Sequence, residues 1–327
     1  MNRINLAAAC ALLAAALPLA AQDAAPALSP ADIVNAAPQE DWVVIAPEDM
    51  LVMTLAPNAD GTEREVVIQL MPPPFSQGWV ENIRLLARSG WYEGTSINRV
   101  QDNYVTQWGD PNYDNPEAGG EAKPLPAGLK VMSEEAYAHQ LSAVAMHMNP
   151  CGERANVSPT WLCDAYAAGA GFRQGWPMAT DGVREWPVHC YGMVGVGRNL
   201  SPDTGSGAEL YTVIGHAPRH LDRNIALVGR VIGGMEHLSS LPRGSGALGF
   251  YTAEEAGKRV PILSVHTAAD LPEAERPLYE YLSTETETFA RYAEARANRR
   301  DPFFIAPAGG ADICNVPVPV RPSGHPN

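Results

Sequence analysis

The sequence predicts a mainly β fold, and three short apolar runs are the observations that predict it. Residues 42–45 and 50–55 are apolar runs bounded by Pro and Asp, and residues 65–70 form a third run. Runs of this length with such boundaries are typical of strands. The turn signal Asn-Ala-Asp-Gly at 58–61 separates the last two runs, so they are expected to pair as a hairpin, which the prolines at 72–74 end.

Helical patterns are few and stand apart from the strand patterns. Residues 77–89 predict a helix because their apolar side chains recur every three to four positions. Ser133 suits a helix N-cap, and the stretch 133–148 that follows is expected to be helical. Residues 271–299 predict a C-terminal helix. Strands are therefore expected to dominate the fold.

Composition limits the domain count and the classes of partner. The chain has 327 residues and 46% hydrophobic content, enough for one large domain with additions or for two smaller domains. The formal net charge is −14. Binding to phosphates depends on Lys and Arg, so an acidic protein is a poor candidate for a nucleic-acid or anionic-membrane partner.

The N-terminus predicts a signal peptide over residues 1–21. Arg3 supplies the positive end, 6–19 is an apolar run of Ala and Leu, and the alanines at 20–21 suit cleavage. The run is too short to span a bilayer comfortably, so no stable membrane anchor is expected. The mature protein is expected to be periplasmic or secreted, with 22–40, rich in Ala, Pro and Asp, as a linker.

Cysteine usage agrees with an exported protein. Four cysteines remain after the signal peptide: Cys151, Cys163, Cys190 and Cys314. An even count in an exported chain favours disulfides and no metal. A metal site is the alternative, because His147, Asp164 and His189 lie near these cysteines, but no C-x-x-C pair is present. Sequence permits three pairings, and the preferred one joins Cys151 to Cys163 and Cys190 to Cys314.

The most specific pattern lies in residues 91–111. A Tyr-x-Gly-Thr turn precedes an arginine, and an aromatic residue, an apolar residue and Gln-x-Gly-Asp-Pro follow. The matching positions are Tyr92, Gly94, Thr95, Arg99, Tyr104, Val105, Gln107, Gly109, Asp110 and Pro111. This pattern resembles the core motif of the cyclophilins, which are peptidyl-prolyl cis/trans isomerases. The resemblance resumes over residues 191–235.

The resemblance implies a mainly β fold of one type, a closed antiparallel β-barrel capped by helices. The cyclophilin-like domain is expected over 41–270, with its last barrel strand at 259–266. Residues 111–188 do not follow the family pattern and are rich in Pro, Gly, Asn and Trp, so they are expected to be a loop-rich insertion. Residues 271–327 are expected to add a C-terminal helix and tail.

The resemblance also assigns the site. It gives catalysis to Arg99, whose hydrogen bond would stabilise the twisted prolyl amide without a cofactor. The implied substrate-binding residues are Tyr104, Val105, Gln107, Gly197, Arg198, Glu209, Tyr211, His220 and Leu221. Three positions depart from the family: Glu209 replaces the usual glutamine, His220 follows an extra residue, and Ile225 replaces a common histidine. Proline-containing polypeptides are the implied substrates.

Other interpretations of the same residues stay open at this point. Arg99 could form a surface ion pair with a carboxylate such as Asp102, and the pocket residues could be ordinary barrel core. Glu209 could pair with Arg99 and reduce its availability, or merely orient it. The alternative function is a non-catalytic proline-binding or scaffold protein that uses the same barrel. An assay of X–Pro isomerisation separates this alternative from an enzyme.

Overall fold

The computed structural model of the chain describes residues 27–113, 115–141, 161–162 and 164–324. Its helices are α1 Pro30–Asn35, α2 Gln77–Arg88, α3 Glu236–Ser239 and α4 Glu287–Ala297. Its strands are β1 Trp42–Val44, β2 Met50–Leu55, β3 Arg64–Leu70, β4 Ser96–Val100, β5 Val105–Gly109, β6 His139–Gln140, β7 Trp161–Leu162, β8 Gly169–Arg173, β9 Trp176–Thr180, β10 Arg184–Pro187, β11 Met193–Val196, β12 Leu210–Val213, β13 Leu227–Gly233, β14 Val260–Thr267, β15 Tyr279–Leu282 and β16 Val320–Pro322. The mainly β prediction is confirmed.

Eight strands close into a barrel in the order β11, β12, β5, β4, β14, β2, β3 and β13, with β13 returning to β11. Every neighbouring pair in this ring is antiparallel. The expected hairpin is present, because β2 pairs with β3 from Met50 opposite Gln69 to Leu55 opposite Arg64. Closure leaves the ring without an unpaired edge.

Strand β2 is apolar at every position except Thr54 because both of its faces are covered. Leu51 and Met53 point into the main core of the molecule, whereas Met50 and Val52 belong to a second apolar cluster. Successive strand residues face opposite sides of a sheet, so the two sets lie on the two faces of the barrel wall. Tyr281 of β15 packs on the second cluster. An outer sheet therefore covers this part of the barrel.

Helix α2 matches the predicted helix and packs against β13 and β14. It buries Trp79, Val80 and Ile83, so the apolar face expected from the sequence is the face that meets the barrel. Gly90 follows the helix with φ +66°, a left-handed conformation that glycine adopts at low cost.

Two smaller sheets lie outside the barrel. One has the order β6, β10, β9, β8 and β7, and the other has the order β1, β15 and β16. The first sheet comes from within residues 111–188, so that segment contributes a five-stranded sheet in addition to its loops. Its β9 and β10 carry the fully buried side chains of Trp176 and Trp186, which are two of the tryptophans that had suggested irregular structure.

The prediction of a helix over residues 133–148 is wrong in the part that the structure describes. Residues Glu134–Tyr137 form a single 3-10 turn, and His139–Gln140 then pair with β10. The ring of Tyr137 stacks on Trp79 at 5.5 Å between centroids. A short helix is stable only when tertiary packing covers its amphipathic face. Here Tyr137 packs on Trp79 and His139–Gln140 pair with β10, and both contacts stabilise a turn and a short strand in place of a helix.

The C-terminal helix is shorter than expected. Residues 271–299 contain β15, which pairs with β1 and β16, and α4 begins only at Glu287. Pro277 lacks a backbone N–H and disfavours helix in the residue before it. The Thr286 side chain accepts from the Phe289 N–H and caps α4.

The segment 22–40 also differs from expectation in the residues described. It was expected to be a linker, yet α1 lies within it and starts with a capping box between Ser29 and Asp32. The signal peptide expected at 1–21 lies outside the described residues. No helix in the described part of the chain is long and apolar enough to cross a membrane.

One of the two expected disulfides is present: Cys190 is bonded to Cys314 across 124 positions of sequence. This bond ties the tail that follows α4 to the segment preceding β11. The Cys151–Cys163 pair lies outside the described residues. Within residues 27–113, 115–141 and 164–324, no group of three or more His, Cys, Asp or Glu side chains could hold a metal ion.

Candidate active site

Two adjacent barrel strands bring Arg99 and Gln107 face to face. Arg99 on β4 lies opposite Gln107 on β5 in the strand register. The Arg99 Nη1 donates to the Gln107 Oε1 at 3.0 Å. Residues directly opposite in an antiparallel pair have close side chains, so the eight-residue spacing in sequence becomes a direct contact.

The Arg99 guanidinium is held from three sides. Its Nε donates to the Leu248 carbonyl at 2.7 Å, and its Nη2 donates to the Gln101 side chain. The rings of Tyr104 and Phe250 lie 5.7 and 5.3 Å from its Cζ, within cation–π range. Burial lowers the pKa of the Arg99 guanidinium, and the neighbouring tyrosines oppose this shift.

Donor capacity remains on Arg99 after these contacts. A guanidinium has five N–H donors. Hydrogen bonds to Leu248, Gln107 and Gln101 use three of them among the described residues. The side chain is therefore both fixed in direction and able to donate to a bound molecule.

A cavity of about 720 Å³ lies beside this guanidinium. It is lined by Arg99, Tyr104, Val105, Gln107, Asn112, Asn115, Pro116, Gly197, Arg198, Asn199, Leu200, Tyr211, Leu221, Ile225, Leu248 and Phe250. Apolar lining with a few convergent polar groups is typical of sites for small ligands and peptide side chains.

The apolar part of the cavity is a compact cluster on one side of Arg99. Val105 and Tyr211 are buried in it, and Tyr104, Leu221 and Ile225 pack against them. Strand β12 pairs with β5 and places Val213 opposite Val105, which brings Tyr211 to the same wall. An apolar recess thus adjoins a fixed cation.

Eight of the predicted site residues line the cavity, and two do not. The eight are Arg99, Tyr104, Val105, Gln107, Gly197, Arg198, Tyr211 and Leu221. His220 is exposed and stacks on the ring of Tyr104, with 6.4 Å between ring centroids. Glu209 is buried behind the wall, where its Oε1 accepts from the Asp110 N–H at 2.7 Å.

Several lining residues carry no sequence signal that would have identified them. The structure adds Asn112, Asn115, Pro116, Asn199, Leu200, Leu248 and Phe250 to the lining. All of them lie in segments between barrel strands, where no periodicity applies. Phe250 forms an isolated β-bridge opposite Arg99, a non-local pairing that single-sequence patterns do not encode.

Two alternative partners for Arg99 engage other groups. Asp102 forms an ion pair with Arg243 at 3.1 Å. Glu209 forms no ion pair with Arg99 within the described part of the chain, and Gln107 lies between the two. Direct pairing with either carboxylate is therefore not what orients Arg99.

Glu209 occupies a tightly packed position next to Gly109. A Cβ on Gly109 would lie 2.1 Å from the Glu209 Oε1, so a side chain there would collide with the carboxyl. Burial raises the pKa of Glu209 well above its usual value, while the Asp110 N–H and the Gln107 and Asn98 amides oppose the shift. Its Oε2 is buried without a hydrogen-bond partner in the described residues.

We expect Glu209→Gln to stabilise the protein at neutral pH. The buried carboxyl holds its proton in the native state after the unfolded chain, with a pKa near 4.5, has lost it. The stability that the protonated carboxyl provides is therefore fully present below pH 4.5 and is lost as pH rises through the raised native pKa. Over this interval the free energy of unfolding falls by up to about 1.4 kcal/mol per pH unit. Urea unfolding of both proteins from pH 4 to 8 measures this, and the variant should gain on the wild type upward from pH 4.5. A stability difference that stays constant across this range would contradict the prediction.

Comparisons with known proteins identify the family. The family model described as cyclophilin type peptidyl-prolyl cis-trans isomerase/CLD matches residues 66–267, more than half of the chain. The chain therefore belongs to the cyclophilin-type peptidyl-prolyl cis-trans isomerases, as its sequence motifs had indicated. It is an enzyme of that class.

A solved structure of a similar protein agrees with the fold. The crystal structure of cyclophilin AquaCyp293 from Hirschia baltica has a TM-score of 0.59 and 19% identity, covering 87% of this chain and 95% of that chain. A cyclophilin type peptidyl-prolyl cis-trans isomerase of Cryptosporidium parvum, solved in the presence of the dipeptide Ala-Pro, has a TM-score of 0.36 and 11% identity, covering 66% of this chain and 97% of that chain. No curated protein matches the chain.

Proposed function

We propose that this isomerase lowers the barrier to X–Pro rotation through a hydrogen bond from Arg99 to the twisted prolyl amide. Rotation about a peptide bond has a barrier of about 18–20 kcal/mol because resonance is lost in the twisted state. The amide nitrogen then regains a lone pair, and a fixed donor aimed at that position stabilises the transition state more than the planar ground state. No nucleophile, metal or proton relay is required.

The observation that carries this proposal is the position of Arg99 at the edge of the apolar recess. A proline ring packed against Val105, Tyr211 and Leu221 would place its amide nitrogen at the border between these side chains and the guanidinium. Three anchoring contacts restrict Arg99 to one direction, so little reorganisation is needed when the amide twists. An arginine also stays charged in a partly buried place.

The peptide on either side of the proline would lie along the open rim of the cavity. Gln107 can hydrogen-bond substrate backbone, and Gly197 and Arg198, which directly follow β11, line the same cavity. Gly197 has no side chain, and a Cβ there would lie 2.9 Å from the Cβ of Glu209. The rim therefore favours an extended proline-containing segment that lies flat against the barrel.

A direct test follows the cis/trans exchange of an Ala-Pro tetrapeptide by NMR in the presence of the purified protein. Unaided exchange takes tens to hundreds of seconds, and the exchange rate is expected to rise in proportion to protein concentration. Heat-unfolded protein is the control. Binding of the peptide without faster exchange would instead support a non-catalytic proline-binding function.

We also propose that the clients are exported proteins. Support comes from the signal-like residues 1–21 and from the Cys190–Cys314 disulfide, since disulfides persist in oxidising compartments. N-terminal sequencing of the protein recovered from fractionated producer cells tests this. A mature N-terminus near residue 22 in the periplasmic or secreted fraction is expected, and an intact N-terminus in the cytoplasm would contradict it.

A further inference from the structure

A buried chain of hydrogen bonds starts directly below the recess. The Tyr211 hydroxyl lies 2.9 Å from the Nε2 of His189, and the His189 Nδ1 lies 2.9 Å from the Oδ1 of Asp222. A carboxylate only accepts, so in the neutral ring Nδ1 donates to Asp222 and Nε2 accepts from the tyrosine hydroxyl. The His189 side chain is fully buried, and both of its ring nitrogens are engaged.

The chain continues from Asp222 into the segment that departs from the family pattern. The Asp222 Oδ2 accepts from the Arg219 Nε at 2.7 Å. Arg219 then binds the two Asp164 oxygens through Nη1 and Nη2 at 2.6 and 3.0 Å. The Arg219 and Asp164 side chains are 2% and 1% exposed. This is a bidentate, charge-assisted pair shielded from water, and such a pair fixes the relative orientation of its two side chains.

The strand beside Tyr211 is shaped to accept its hydroxyl. A Cβ on Gly195 would lie 2.3 Å from the Tyr211 hydroxyl oxygen, so only glycine leaves the space that the phenol fills. Gly195 lies opposite Tyr211 in the β11–β12 register. The same Cβ would lie 2.4 Å from the ring Cζ, so a phenylalanine would also need this glycine, but it would need no polar partner. The hydroxyl therefore has a purpose other than apolar contact with a ligand.

The chain reaches two parts of the cavity wall. The chain of hydrogen bonds begins at Tyr211 on β12, which lines the cavity. It also includes Asp222, which directly follows the cavity-lining residue Leu221 in sequence. Asp222 also accepts from the backbone N–H of His189 at 3.0 Å. His189 and Asp222 therefore hold the Tyr211 ring and the Leu221 turn in a fixed mutual arrangement.

We propose that His189, Asp222, Arg219 and Asp164 form a positioning network that sets the shape of the proline recess through Tyr211 and Leu221. The inference rests on the proposed function, because it takes the recess as the site of the proline ring. None of the four residues lines the cavity, so they act on substrate only through the two wall residues. Asp164 makes the shape of the recess depend on the segment 111–188.

A double-mutant cycle between positions 189 and 211 tests the near end of the network. The proteins are the wild type, His189→Leu, Tyr211→Phe and the double variant. Leucine leaves the Tyr211 hydroxyl unpartnered, and a buried polar group without a partner is costly, whereas phenylalanine at 211 removes the hydroxyl and with it this part of the cost. The dissociation constant of an Ala-Pro tetrapeptide and its exchange rate at saturation are measured by NMR for each protein.

His189→Leu is expected to raise the dissociation constant about tenfold when the tyrosine at 211 is present and about threefold when phenylalanine replaces it, because the ring contact with Asp222 beside the Leu221 turn is lost in both backgrounds. The exchange rate at saturation is expected to change less than about twofold in both cases, because Arg99 keeps its anchors. Equal effects of His189→Leu in the two backgrounds would overturn the inference.

The far end of the network has a matched control. Asp164→Asn weakens the pair with Arg219 and is expected to raise the dissociation constant severalfold. Glu185→Gln weakens the ion pair between Arg173 and Glu185, whose side chains are 30% and 3% exposed and which lies in the five-stranded sheet outside the barrel. It is expected to leave the dissociation constant unchanged. Equal effects of the two substitutions, or no effect of Asp164→Asn, would show a purely structural network and overturn the inference.

Measurements on the wild-type protein separate the proposed function from the positioning network. A wild-type protein that neither binds nor isomerises the peptide would overturn both the proposed function and this inference. A wild-type protein that does both, with independent effects at 189 and 211, would overturn the inference alone.

Discussion

Replacing Arg99 with alanine is expected to slow catalysed X–Pro exchange by about 100- to 1,000-fold while the barrel stays folded. Loss of one fixed donor aimed at developing charge has an effect of this size in acyl-transfer enzymes, about 2.7–4 kcal/mol. The apolar recess is intact in this variant, so peptide binding should fall much less than the rate. NMR exchange at saturating Ala-Pro tetrapeptide gives the rate, and titration gives the dissociation constant.

Two further variants sharpen the result for Arg99. Arg99→Lys keeps the charge but lacks the planar fork that reaches Leu248 and Gln107 together. It should recover only a small part of the rate. Arg243→Ala removes an arginine that pairs with Asp102 outside the cavity and should leave the rate unchanged. A folded Arg99→Ala protein with the wild-type rate would remove Arg99 from the mechanism.

Removing the Cys190–Cys314 bond is expected to lower the free energy of unfolding by about 4–5 kcal/mol. The bond closes a loop of 124 positions, and in the chain-entropy model the destabilisation of the unfolded state grows with loop length. The tail also contributes packing, because Ile313 and Val316 beside Cys314 are buried in the main core. Without the bond, these contacts alone must hold the tail in place.

The Cys190→Ser/Cys314→Ser variant measures this effect by urea unfolding, with and without a reductant. Reduction should lower the urea midpoint of the wild type toward that of the variant. The variant has no bond between positions 190 and 314 that a reductant could break. Similar midpoints for the oxidised wild type and the variant would show that the tail is held by packing and that the bond adds little.

Local patterns were enough for the elements whose residues interact with near neighbours in sequence. The hairpin of β2 and β3 needs only two apolar runs and a turn, and α2 needs only an apolar stripe. The resemblance in residues 91–111 then identified the closed barrel, because the two residues that meet across β4 and β5, Arg99 and Gln107, lie within one motif. The family and the fold were therefore predictable from the sequence.

Predictions failed where a remote partner decided the conformation. Residues 133–148 and 271–299 have helical composition, yet His139–Gln140 and Tyr279–Leu282 became strands because β10, β1 and β16 offered them hydrogen-bonding edges. Pairings of this kind join residues far apart in sequence. A propensity of a few tenths of a kcal/mol per residue is smaller than the free energy of strand pairing and burial.

The sequence by itself determined the family and the barrel, and eight of the ten site residues predicted from it line the cavity. Only the tertiary structure decided that Glu209 lies behind the wall, that Phe250 and Leu248 complete the surroundings of Arg99, and that a buried chain leads from Tyr211 to Asp164. The physical reason is the range of the interactions. Motifs and periodicity record contacts between neighbours in sequence, whereas a hydrogen bond such as His189 to Asp222 exists only after the barrel closes and brings together segments 33 positions apart.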